Sequence, residues 1–201
     1  MATVHQIRTI LARRTPVTTD PARFPGHKHA AVALLLRDHA GVTELFYLLR
    51  ASHDADPWSG DIGFPGGHID ATDSSPRAAA ERETCEEIGL DLSEAEHLGQ
   101  LDDIAGAHLP VIVSCFVYHL PIAVDMVLNH EVVETFWVPL THLTDIRRHV
   151  MTEVRFREET LLRPGIDLLG PGRRVLWGIT YRLTSQFLHL IGHRLPETPI
   201  P

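Results

Sequence analysis

Glu83, Glu86 and Glu87 lie three and four residues apart, a spacing that gathers side chains on one face of a helix. Like charges held on one face repel, so a chain that keeps three of them gains from whatever neutralises them. A hard divalent cation fits: magnesium takes oxygen ligands, commonly a few carboxylates together with substrate phosphates. The plainer alternative is a solvated acidic face with Arg82 as its local counter-charge. The residues upstream favour the cation. Phe64-Pro65-Gly66-Gly67 reads as a tight turn that exposes backbone, and glycine lets a backbone approach a ligand closely. Asp73, Ser74 and Ser75 offer helix caps, Pro76 suits a first turn, and Gly89 suits a stop.

The elements that must position these residues follow from hydrophobic period and turn chemistry. Apolar residues at Val4, Ile7, Ile10 and Leu11 predict a helix over 4–14. A proline-rich stretch follows to Gly26. Strands are expected over 30–36 and 45–49, with a hairpin turn at Asp38-His39-Ala40-Gly41. Residues 53–63 read as loop. Beyond the acidic helix, strands are expected over 95–104, 111–120 and 135–140. A short helix is expected over 140–150, and a strand or irregular excursion over 152–166. Trp177, Tyr181, Phe187, Leu188 and Ile191 form a helical stripe that reads as core. Mixed strands with two or three helices give an α/β class.

At 201 residues the chain has the size of one ordinary domain, and its 44% apolar content allows a sizeable core. No apolar run is long enough to span a bilayer, and no secretory signal is expected. Cys85 and Cys115 make neither a metal motif nor a disulfide framework, so both read as reduced thiols of a cytoplasmic protein. The net charge of −8 argues against a nucleic-acid polymer or an anionic membrane as partner. It leaves room for a phosphorylated substrate, because a bound cation reverses the local field. The pairs His27/His29 and His189/His193 lack a third ligand and read as surface or packing residues.

Gly67, Arg82-Glu83, Glu86-Glu87 and Gly89-Leu90 together resemble the box of the Nudix hydrolases, Gly-x5-Glu-x7-Arg-Glu-U-x-Glu-Glu-x-Gly-U with U bulky and aliphatic. Asp73 stands where the first Glu belongs, the gap from it to Arg82 is one residue longer, and Thr84 takes an aliphatic position. A longer gap with Asp resembles the coenzyme A pyrophosphatase group. So does Leu48-Leu49-Arg50-Ala51-Ser52 followed by Gly60-Asp61-Ile62-Gly63-Phe64-Pro65-Gly66-Gly67, although Asp61 replaces an expected Gln and Asp56 falls near a position that is often basic.

The resemblance implies an α/β/α sandwich with a mixed sheet and a loop–helix–loop catalytic motif. It would occupy 1–201 as one domain, with 1–26 as an N-terminal extension and a closing helix over 176–192. It implies metal-dependent hydrolysis of a phosphoanhydride in a nucleoside diphosphate linked to another group, with coenzyme A or an acyl-coenzyme A as one such substrate. Nucleotide sugars and nucleoside triphosphates are the alternatives, as is a Nudix fold that senses a ligand or binds a protein without turnover. Mg²⁺ or Mn²⁺ would be held by Glu83, Glu86 and Glu87, with a backbone carbonyl of Gly66 or Gly67 completing the shell. Bound metal lowers the pKa of water and clamps phosphate oxygens. Arg82 would orient a glutamate. The general base is open between a box glutamate, Glu134 and Glu131, with Glu134 preferred to Glu131. Asp73 is read as a helix cap before a metal ligand. Arg50 is either a phosphate contact, since guanidinium geometry fits phosphate oxygens, or a surface charge. Gly66 would approach the substrate. Trp58 is read as loop packing. The expected partner is a small-molecule phosphoanhydride, and a homodimer stays open.

Overall fold

The computed structural model describes residues 2–52, 60–107, 109–120, 125–156 and 159–195. Asp56 and Trp58 lie outside them. In chain order the elements are α1 (Val4–Ala12), β1 (Lys28–His39), β2 (Val42–Arg50), β3 (Ile62–Gly63), β4 (Gly66–His68), α2 (Pro76–Ile88), β5 (Glu96–Gln100), β6 (Ile104–Ala105), β7 (Val111–Leu120), β8 (Val132–Pro139), α3 (Leu140–Leu143), β9 (His149–Phe156), β10 (Glu159–Ile166) and α4 (Gly178–Leu190).

β1 is the central strand. One edge runs parallel to β7 from Lys28↔Val111 to Arg37↔Leu120. Its other edge is shared: Leu36 to His39 pair with β2, while Ala30 to Val32 pair with β4. β2 therefore parts from β1 along half its length, and Leu48 and Leu49 pair with β3 instead. β8 covers the outer edge of β2, and β5 and β6 cover β7. β9 and β10 form a separate hairpin.

Alternation along the strands builds two cores. Leu34 and Leu36 of β1, Leu45 and Tyr47 of β2, and Val113, Cys115 and Val117 of β7 pack with Val4, Ile7 and Leu11 of α1 and Leu183, Phe187 and Leu188 of α4. Their neighbours Ala33, Leu35, Phe46, Leu48, Phe116 and Tyr118 pack with Ala79, Ala80 and Ile88 of α2. The period of two in each strand sends successive residues to opposite faces, which gives the expected α/β/α sandwich.

Several expectations are corrected. The first strand runs further, to His39, so the turn shrinks to Ala40 and Gly41, whose φ values of 50° and 79° suit a two-residue hairpin loop. The run over 95–104 divides into β5 and β6. The helix expected over 140–150 is one turn, and β9 begins at His149. Its β-branched and extended run His149-Val150-Met151-Thr152 pairs with Ile166-Gly165-Pro164-Arg163 instead. Gly66 and Gly67 lie in a strand where a turn was expected, and Ile62–Gly63 is a strand where loop was expected. In α4 the fully buried positions are Leu183, Thr184, Phe187 and Leu188, while Trp177 and Tyr181 are only partly covered.

Candidate active site

The acidic helix is set by its ends. Ser75 is the N-cap and accepts from the Ala78 amide, and Pro76 occupies the first turn. Gly89 closes the helix at φ 67° and donates to the Cys85 carbonyl, a left-handed stop that glycine adopts without a Cβ penalty. Asp73 is therefore not the cap. Its carboxylate meets the Arg82 guanidinium in a two-pronged pair, with Nε and Nη2 each at 3.0 Å. The same Arg82 donates to the His68 carbonyl at 3.1 Å, to Glu83 at 2.9 Å and to Glu86 at 3.2 Å. These bonds hold the Asp73 carboxyl below the usual carboxylate range, with Arg82 as the largest cause and the Asp70 amide next.

Glu87, one turn further along, has the opposite setting. It is 1% exposed. The Gly66 amide donates to it at 2.9 Å and Arg50 at 3.1 Å. Burial nevertheless pushes its pKa up to about 7, with Glu83 and Glu131 raising it further. Glu83 is also shifted up, first by burial and then by Glu86 and Glu131, against the pull of Arg82.

The contact with β4 is close enough to require glycine twice. A Cβ on Gly67 would stand 2.4 Å from the Glu83 carboxyl carbon, and one on Gly66, at φ 147°, would stand 2.3 Å from the Ala31 carbonyl oxygen. β4 thus lies flat between β1 and α2, in the gap left where β2 parts from β1. Thr84, at the usually aliphatic position, is fully buried and satisfies its hydroxyl by donating to the Ala80 carbonyl at 2.7 Å.

The structure gathers Arg50, Gly66, Gly67, Arg82, Glu83, Glu86 and Glu87 and sets Glu134 apart from them. Glu134 pairs in register with Leu49, whose side chain packs on the α1–α4 core. Cross-strand partners share a face, so Glu134 points away from α2 and is ion-paired to Arg173. Glu131 is the exposed residue whose charge acts on both Glu83 and Glu87. A β-bulge between Leu49 and Arg50 shifts the register between these two glutamates, and no local pattern signals such a shift. Arg50 is bound to Glu87 and is no free surface charge. Asp61 accepts from the Trp177 indole at 3.0 Å, so its departure from the expected Gln has a structural use.

The carboxylates and backbone carbonyls present form an all-oxygen donor set, which suits a hard divalent cation. The like-charge pressure on Glu83 and Glu87 points the same way. Among the described residues, no group of three His, Cys, Asp or Glu side chains is already gathered to hold a metal ion. No helix among the described residues is long and apolar enough to cross a membrane.

Known proteins resemble this chain in sequence and in fold. The NUDIX domain model matches residues 27–159. The human mitochondrial coenzyme A diphosphatase NUDT8 is 31% identical over 164 residues, 81% of this chain and 69% of that protein. Its mouse counterpart is 30% identical over 199 residues, 96% of this chain and 91% of that protein. The solved MutT/nudix family protein from Enterococcus faecalis is 15% identical, with a TM-score of 0.53 over 95% of this chain and 75% of that one, a likeness of fold alone. The chain belongs to the Nudix hydrolases and is a pyrophosphohydrolase.

Proposed function

We propose that this enzyme hydrolyses the pyrophosphate of coenzyme A or an acyl-coenzyme A with the help of Mg²⁺ or Mn²⁺. The observation that carries the substrate is the resemblance of the run from Leu48 to Gly67 to the coenzyme A group, whose described parts lie at the end of β2 and in β3 and β4. Similarity to named coenzyme A diphosphatases over most of the chain supports it. The reduced thiols Cys85 and Cys115 support a reducing compartment, the cytoplasm being the simplest.

Glu83, Glu86 and Glu87, with the Gly67 carbonyl, would hold the metal, which when bound supplies charge neutralisation and a more acidic water. Arg82 fixes the facing sides of Glu83 and Glu86 through its anchor on Asp73. Arg50 and the Gly66 amide keep Glu87 aimed at β4. Glu131, exposed and coupled to Glu83 and Glu87, is the carboxylate available to take the proton of the attacking water. The water oxygen joins one phosphorus, the bridging P–O bond breaks, and the bridging oxygen leaves with the other phosphate. On coenzyme A this releases adenosine 3′,5′-bisphosphate and 4′-phosphopantetheine.

The test is a hydrolysis screen over coenzyme A, acyl-coenzyme A, nucleotide sugars, dinucleotides and nucleoside triphosphates, with products separated by chromatography and with EDTA as control. Both named products should appear with Mg²⁺ and vanish with EDTA. Efficient cleavage of a nucleotide sugar or triphosphate with coenzyme A untouched would overturn the substrate. Full turnover in EDTA would overturn the metal.

A further inference from the structure

We propose that Arg174, which the segment between β10 and α4 brings beside Ser52 and Gly60, and its chain neighbour Arg173 form a subsite for a phosphate monoester on the nucleotide half of the substrate. This rests on the reading of the chain as a coenzyme A pyrophosphohydrolase and deepens it. Both arginines lie outside residues 27–159, the stretch that the NUDIX model matches.

Three separate ties fix the segment against its neighbours. Leu176 and Ile166 exchange backbone hydrogen bonds at 2.9 Å each. The Trp177 indole donates to Asp61, next to β3, at 3.0 Å. Arg173 is ion-paired to Glu134 of β8. The guanidinium of Arg174 lies against Gly60: a Cβ there would be 3.1 Å from its Nη2 and 3.2 Å from Ser52 Oγ. A guanidinium and a hydroxyl thus flank one glycine, where nothing but hydrogen projects between them. Arg174 makes no ion pair with a described residue.

This cluster continues directly into the active site. Gly60 donates to the Ala51 carbonyl at 3.3 Å, and the Arg50 amide donates to the Asp61 carbonyl at 3.0 Å. Arg50 itself is bound to Glu87 at 3.1 Å. Ser52 lies two residues beyond Arg50, the last residue of β2. A nucleotide whose pyrophosphate lies at the Arg50 and Glu87 end would carry a second phosphate on its ribose towards Ser52. Guanidinium groups bind phosphate oxygens by paired, charge-assisted hydrogen bonds. Asp61 and Glu134 lie in the same cluster, and each already has a partner, Trp177 for Asp61 and Arg173 for Glu134. Glu134 gives Arg173 a monoanionic partner that a phosphate dianion can displace.

The test compares coenzyme A with 3′-dephospho-coenzyme A, and adenosine 3′,5′-bisphosphate with adenosine 5′-monophosphate. The enzyme, R174Q and R173Q are assayed for kcat and KM on the first pair, and for Kd by calorimetry on the second. The native enzyme should favour the phosphorylated member of each pair. Each variant should raise KM and Kd for that member roughly tenfold, with kcat and the values for the other member unchanged and with the circular dichroism spectrum and Tm retained. Equal losses on both members, or no preference in the native enzyme, would overturn the subsite. If neither coenzyme is hydrolysed, the substrate reading fails. The subsite is then judged by calorimetry alone, where an arginine-dependent preference for the bisphosphate upholds it and none refutes it.

Discussion

At the loop leading into α2, Asp73 shares two hydrogen bonds with Arg82 and is held below the usual carboxylate range. Near the C-terminal end of α2, Glu87 also meets a guanidinium, yet its pKa rises to about 7. The difference is geometry and the surrounding charges. Asp73 faces a planar two-pronged partner at a loop, and the pair neutralises itself. Glu87 is sealed under β4 with one contact to Arg50 and two further carboxylates nearby, so desolvation outweighs the attraction. A neutralised carboxylate builds the frame. A desolvated one keeps an unmet demand for positive charge, which a cation or a proton can fill.

The comparison breaks most visibly at Glu87. E87Q keeps the shape and removes the charge, and kcat is expected to fall about 10²–10⁴-fold, the range for a lost acid–base or metal group. In EDTA the same change should alter how stability depends on pH. Because the folded pKa of about 7 lies above the ordinary value of 4.5, the native state binds this proton more tightly than the unfolded chain. Stability is therefore greatest below about 4.5 and falls as pH rises to about 7. A tenfold difference in proton affinity corresponds to about 1.4 kcal/mol, so the loss amounts to a few kcal/mol. E87Q should remove that slope and have the higher Tm at pH 8. Thermal unfolding at pH 5 and pH 8 checks both statements, and identical slopes for the two proteins would show that Glu87 is not desolvated.

D73N sharpens the other half. Arg82 would lose its anchor and turn towards Glu83 and Glu86. The expected cost is about 10–100-fold in activity or metal affinity, the usual effect of a lost outer partner. Raised Mg²⁺ should restore part of it; a loss that no Mg²⁺ concentration reverses would argue against a positioning role. The smallest effect belongs to E96Q. Its pair with Arg8 at 2.6 Å is exposed and remote from the box, and exposed pairs contribute little. Its kcat/KM should match the native enzyme, and a large loss would mean that the site extends to β5.

The acidic helix was legible because its information is local. Ser75, Pro76 and Gly89 mark its ends, and the spacing of Glu83, Glu86 and Glu87 puts three carboxylates on one face. The strands through Leu34, Tyr47 and Val113 were legible through their apolar runs. The role of Asp73 was not, because a capping carboxylate and an arginine anchor have the same sequence signal. The choice between Glu131 and Glu134 was hidden in a bulge on β8. Arg173 lies 39 positions from Glu134, and Trp177 lies 116 positions from Asp61; pairings this distant leave no period to read. The hairpin of β9 and β10 was obscured by its charged residues, which suit a strand pair outside the main sheet.

The parallel pairing of β1 with β7 has a consequence for how the enzyme comes into being. Lys28 meets Val111 and Arg37 meets Leu120, so the central strand waits for a partner more than eighty residues downstream. Contacts this far apart in sequence incur a large loop-closure entropy before any stabilisation is returned, and they slow folding. On the ribosome, α2 and its glutamates emerge before β7, with β1 still unpaired on that edge. β1, β2, β3 and β4 precede α2 in the chain, so the strands that carry Arg50 and Gly66, the partners of Glu87, are already made when the helix emerges. The local part of the site can thus be assembled early, while the β1 edge stays open until β7 arrives.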